Sequence, residues 1–340
     1  MIQTLVAVLM WLLVASLLIL RRRRTERSIT YAALTIAVAM TLNIDAVYTS
    51  VDGALGATNI ATLVADGTLM VGIFFLGRGI MKAGAYRPGL VRIALGRPAL
   101  IIAFLGIAIS FLLIDRGSTT TNFMIDLGAQ PAAAAYSMMD FTYSGIVVAA
   151  MMVLAGRQYR LSAGAQRIPA GLLLLGSALG VALCIVVLIM DVAHVVGNLD
   201  LMGAVRAAYG PLYFLTFVFL CAGLAGHPAV RYVRDRMRGA RTGGLVKQLE
   251  PMWRRATLVR PGLSQAEALA ASLDVPETRL HREIVEIRDA MIDSRISFEM
   301  TRHDRALLER AEGHLLGVDA RGAQGTNSST DRRASERGRA

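Results

Sequence analysis

Three aspartates inside apolar stretches of this sequence are the first candidates for chemistry: Asp45 in "TLNIDAVYTS", Asp66 in "NIATLVADGTLM" and Asp140 in "AYSMMDFTYSG". A carboxylate at the centre of a membrane helix costs roughly 2.5 to 3.5 kcal/mol on insertion scales, so an acid kept there is a candidate for function. Around Asp140 the residues Tyr136, Asp140 and Tyr143 follow i, i+4, i+7 spacing, with Ser137 and Ser144 beside them, which makes one polar stripe on a helix. Thr62 precedes Asp66 by one turn, and Asp191 with His194 ends another apolar run. If these faces converge, Asp45, Asp66, Asp140, Tyr136 and Tyr143 line an acidic vestibule suited to a proton, a metal cation or an organic amine. The competing reading is that acids within two turns of a helix end reach interfacial water or are satisfied by neighbouring hydroxyls, at little cost.

Other chemistry is poorly supplied. No Cys/His cluster has metal-ligand spacing, and neither a nucleophile with its base nor a nucleotide-binding glycine loop stands out, so no catalytic residue, metal or cofactor is expected. Cys184 and Cys221 fall in separate apolar runs at different depths and read as small buried hydrophobes without a disulfide.

The elements that must position these residues are membrane helices. Of 340 residues, 54% are hydrophobic and only 18% charged, too apolar for an ordinary soluble domain. Apolar runs of bilayer length fall at roughly 2 to 20, 29 to 50, 60 to 81, 98 to 114, 134 to 155, 170 to 193 and 211 to 228. Asn43 and Asp45 interrupt the second. Only helices or closed barrels satisfy backbone hydrogen bonds in lipid, and these runs are too long and uniform for barrel strands. The fold class is therefore an all-α integral membrane protein, a bundle of seven transmembrane helices with a small helical cytosolic C-terminal domain.

The net charge of +11 reports topology. "RRRRTER" follows the first run, which has no basic residue before it, so that run reads as an uncleaved anchor with its N-terminus outside. Alternation then puts Arg21 to Arg24, Arg27, Lys82, Arg87, Arg92, Arg97, Arg157, Arg160 and Arg167 inside, and leaves Arg116 and Arg206 outside. The protein is expected in the plasma membrane with its C-terminus cytosolic. Arg78 reads as a snorkelling side chain, and Gly176 with Gly180 as a small-xxx-small pair allowing close helix contact or dimerisation.

Residues 1–230 thus form the membrane domain, 231–247 a basic juxtamembrane linker, 248–317 a helical cytosolic domain and 318–340 a disordered tail poor in large apolar residues. The linker "RYVRDRMRGARTGGLVK" suits anionic lipid, and Gly243 with Gly244 reads as a hinge. Downstream, Ser264 and Asp274 look like helix N-caps. Leu280, Ile284, Ile287 and Met291 make a buried stripe that Val285 and Ile292 would broaden. On the charged face Arg282, Glu286, Arg288 and Asp289 are candidates for a cytosolic protein partner. A helix-turn-helix in "SQAEALAASLDVPETRL" is a poor match, so nucleic acid is disfavoured, and His281 lacks the nucleotide-binding segment a phosphoacceptor helix would need.

Two short motifs, "LEPMW" at Leu249 to Trp253 and "RLHREIVEIRDA" at Arg279 to Ala290, follow these spans. Together they resemble a bacterial family of multi-pass membrane proteins classed as transporters, with a cytosolic C-terminal domain of unknown function. The resemblance implies a membrane location and a helical C-terminal domain, and the family's label favours the first functional hypothesis, a small-solute transporter with the outer acids as its entry site. The alternative function is a seven-helix sensor or scaffold that signals through its cytosolic helices.

Overall fold

The computed structural model describes residues 2–20, 28–83, 89–259, 275–293 and 298–316. Twelve α-helices lie among them: α1 (Ile2–Leu20), α2 (Ser28–Leu42), α3 (Asp45–Ala54), α4 (Ile60–Ala83), α5 (Gly89–Ala94), α6 (Arg97–Leu112), α7 (Phe123–Leu127), α8 (Pro131–Leu161), α9 (Arg167–Val196), α10 (Leu199–Val259), α11 (Pro276–Ile292) and α12 (Arg302–Leu316). A 3₁₀ turn, Gly164–Gln166, precedes α9, and the described residues contain no strand. Arg21 to Arg24, Arg27, Arg87, the proposed caps Ser264 and Asp274, and the tail 318–340 lie outside the described residues.

Among the described residues, α1, α4, α8, α9 and α10 are long and apolar enough to cross a membrane, and this is a helical membrane protein. A sixth span exists if α2 and α3 count as one, and between them the chain bends by 85°. The bend falls where Asn43 and Asp45 break the apolar run: Asn43 Nδ2 turns back to the Ala39 carbonyl, Ile44 is extended, and a new helix starts at Asp45. Helix α6 has 16 residues, about 24 Å at 1.5 Å per residue, against a hydrocarbon core of about 30 Å. Length and composition therefore support five to six spans where the sequence predicts seven.

The chain divides into two compact units, Met1–Arg231 and Tyr232–Ala340. In the first, α2 packs on α1 and α4, α4 on α8, and α8 on α6 and α9. The contact of α9 with α10 is closer than side chains permit. A Cβ on Gly176 would lie 2.7 Å from the Leu220 backbone nitrogen, and one on Gly223 would lie 2.7 Å from that of Leu173. Gly180 faces Val148 and Thr216 at 3.0 and 3.3 Å. The small-xxx-small pair thus serves packing within the chain, where backbones approach because no side chain intervenes.

The second unit has its own core. Leu249, Met252 and Ala256 of α10 meet Leu280, Ile284 and Ile287 of α11 and Leu307, Leu308 and Ala311 of α12. The stripe on α11 is as the spacing predicts, except that Val285 and Ile292 do not broaden it: they are 43% and 79% exposed. Glu283 and Glu286 are buried in their place, paired with Arg279 and Arg282 one turn away. Gly243 and Gly244 form no hinge, because α10 runs through both without a break.

Candidate functional site

Helices α4 and α8 bring together two of the predicted carboxylates. Tyr136 Oη donates to Asp66 Oδ2 at 2.6 Å. Its ring is held against Phe111 and Phe123, with centroids 5.7 and 6.0 Å away. One turn further along α8, Asp140 is 4% exposed and its Oδ1 has no hydrogen-bond partner among the described residues. A buried carboxylate oxygen without a donor is costly, whereas Asp66 has the neighbouring Tyr136 hydroxyl, as the competing reading expects.

Asp66 and Asp140 both line two adjoining spaces. One is a vestibule of about 190 Å³ bordered by Asp45, Tyr48, Thr62, Thr120, Tyr136 and Ser137. The other is a chamber of about 580 Å³ whose walls are mainly aliphatic and aromatic, with Ser144 and Thr216 as its aliphatic hydroxyls. Gln3, Asn43, Phe141 and Tyr209 border both spaces, so the carboxylates stand where polar vestibule and apolar chamber meet. Ser144 and Thr216 each bury a hydroxyl without a partner among the described residues. Along one face of α10, Tyr209, Tyr213 and Phe217 form a ladder of rings with successive centroids 5.7 and 5.1 Å apart, and all three line the chamber.

A second polar centre adjoins the vestibule, and sequence reasoning missed it. Asp52 is fully buried and accepts the backbone N–H groups of Asn59 and Ala61 and the hydroxyl of Thr119. It thereby supplies the anion that the N-terminus of α4 favours. Asn59, also fully buried, accepts from Tyr48 Oη and the Thr120 N–H and donates to the carbonyls of Arg116 and Ser118. Its φ of +61° is one that asparagine tolerates better than most residues. Tyr48 also bonds Thr62 at 2.8 Å. The turn before α4 is thus pinned to the segment after α6, and Tyr48, Thr62 and Thr120 of this network form part of the vestibule wall.

The remaining candidates fall elsewhere. Asp45 is exposed at the vestibule rim. Tyr143 is buried but borders neither space, and Asp191 and His194 do not reach them. Arg78 lies over the Phe74 ring at 5.4 Å. In the C-terminal unit the candidate partner residues are largely engaged internally. Glu286 accepts from Arg282 and from Trp253 Nε1, and Arg288 makes a two-pronged contact with Glu312 at 2.7 and 2.8 Å. Asp289 is half-buried and its carbonyl accepts the Asp293 N–H. No cluster of three or more His, Cys, Asp or Glu suited to a metal occurs among the described residues.

Compared with known proteins, the chain matches no family model, no curated protein and no solved structure.

Proposed function

We propose that this chain is a small-solute transporter of the plasma membrane, with Asp66 and Asp140 as the acidic site through which the solute passes. The observation that carries this reading is that two carboxylates from different helices line both the vestibule and the chamber. The broken α2–α3 element adds support, since Asn43 at the break borders both spaces, and interrupted helices beside a binding site are a common device of secondary transporters. In this proposal α6 and the bent pair complete seven spans, with the N-terminus outside and the C-terminus cytosolic. The vestibule then opens outward, because the start of α1, the break after α2 and the starts of α4, α8 and α10 share that side.

The exposed Arg231, Arg234, Arg236 and Arg241 are positioned by this topology to meet anionic lipid. A sensor or scaffold is the second reading. It is favoured by the separate helical core of the C-terminal unit, in which Leu249 and Met252 meet Leu280, Ile284 and Leu308. A cytosolic protein partner belongs to that reading.

The test uses the full-length protein in proteoliposomes, with uptake of a panel of amines, zwitterions and monovalent cations compared between wild type and Asp66→Asn/Asp140→Asn. Uptake of at least one solute that the double variant abolishes is expected. Equal fluxes in wild type, variant and empty liposomes across the panel would remove transport and leave the sensor reading.

A further inference from the structure

We infer that the chamber binds an amphipathic organic ammonium ion, its N–H donors on Asp140 and its apolar body against the aromatic face of α10. This deepens the transport reading and rests on it for the idea that the bound species is carried.

Three features of the chamber select that class. The first is charge: Asp66 and Asp140 both border it, while no Lys, Arg or His among the described residues lines either space. Asp66 is already served by the Tyr136 hydroxyl, so Asp140 is the carboxyl group left without a donor. The second is unfilled hydrogen bonding. Asp140 Oδ1, Ser144 Oγ and Thr216 Oγ1 all belong to residues no more than 5% exposed, all line the chamber, and none has a partner among the described residues. An ammonium group offers up to three N–H donors to such acceptors, and satisfying buried acceptors is where its binding free energy would concentrate.

The third is shape and surface. At about 580 Å³ the chamber exceeds what an inorganic cation needs, and it falls within the range of about 300 to 1,000 Å³ typical of sites for drug-sized ligands. A desolvated metal ion would want several oxygen or nitrogen ligands in a close shell. Here the carboxylates are followed by Leu69, Ile73 and Leu183 and by the Tyr209–Tyr213–Phe217 ladder. Aromatic faces attract cations through their quadrupole, most strongly where water is excluded, and they accept an apolar body as well.

The experiment titrates 3,3-diphenylpropylammonium into full-length protein in nanodiscs by calorimetry, with empty nanodiscs subtracted and 3,3-diphenylpropanol as the neutral analogue. Saturable binding is expected, weakened on the order of tenfold or more in Asp140→Asn, as for a desolvated charge pair losing one partner. Asp140→Glu should retain binding, and Tyr209→Leu, which leaves the carboxylates in place, should weaken it independently. No saturable binding in wild type, unchanged affinity in a well-folded Asp140→Asn, or equal affinity for the alcohol would each overturn the assignment; equal affinity for the alcohol would mark the chamber as a neutral or lipid-chain site. Transport and ligand class fail separately: binding without uptake in the proteoliposome assay removes transport alone, and uptake of potassium or a zwitterion without ammonium binding removes the ligand class alone.

Discussion

Buried carboxylates in this chain differ by what surrounds their oxygens. Asp52 is saturated by three donors and acts as a structural anion. Asp66 has one hydroxyl, and Asp140 keeps an oxygen unanswered. In the C-terminal unit Glu283 is 2% exposed, and its Oε2 has no partner although Arg279 reaches Oε1. Burial pushes Glu283 above the ordinary glutamate range, with Arg279 only partly opposing it. A raised acid binds more protons folded than unfolded, so its ionisation costs stability as pH rises through the folded pKa, and that cost vanishes below the unfolded value of about 4.3. Glu283→Gln should therefore unfold a few degrees higher than wild type at neutral pH and lose that advantage at about pH 4, read from Trp253 fluorescence of the full chain carrying Trp11→Phe. Glu312 works in the opposite sense: the Arg288 hydrogen bonds hold it low, so its contribution is present at neutral pH and is lost as acid titrates it. Both partners are partly exposed, which limits that contribution to under about 1 kcal/mol.

Helices in this protein use glycine in two unrelated ways, and spacing alone does not separate them. Gly176 and Gly223 admit a neighbouring backbone, whereas a Cβ on Gly243 or Gly244 would meet nothing within 4 Å. Gly243→Ala with Gly244→Ala should stabilise α10 by about 0.5 to 1 kcal/mol each, through the lower backbone entropy cost of alanine in a helix. Gly176→Val should cost about 1 to 3 kcal/mol by forcing α9 from α10. Thermal unfolding in detergent distinguishes them: a higher midpoint for the first pair and a lower one for the second are expected, and a lower midpoint for the alanine pair would restore the hinge. The motifs "LEPMW" and "RLHREIVEIRDA" also gain a reason at this scale. Leu249 and Met252 share a core with Leu280, Ile284 and Ile287, and Trp253 donates to Glu286, so each motif is the other's packing surface.

At the scale of the whole molecule, span number decides which side each end occupies. Seven spans place the termini on opposite faces and six place them on the same face. With the N-terminus outside, a green fluorescent protein fused after Ala340 should fluoresce and alkaline phosphatase at the same point should be inactive. The reverse pattern would show that α6, or the bent α2–α3 pair, does not cross. Composition and run length are enough to establish a helical membrane protein with an appended amphipathic module, because lipid requires the backbone to satisfy itself locally and local pattern is what a sequence displays. The stripe Tyr136–Asp140 was legible for the same reason. The Asp52–Asn59 centre was not, since its partners Arg116 to Thr120 lie about sixty residues away and nothing in "SVDGALGATN" names them. Nor did spacing show that Glu283 and Glu286 would displace Val285 and Ile292 from the buried face, or that Tyr209 and Phe217 would face Asp140 across one chamber. Those facts depend on which helix surfaces meet, and only the tertiary structure decides that.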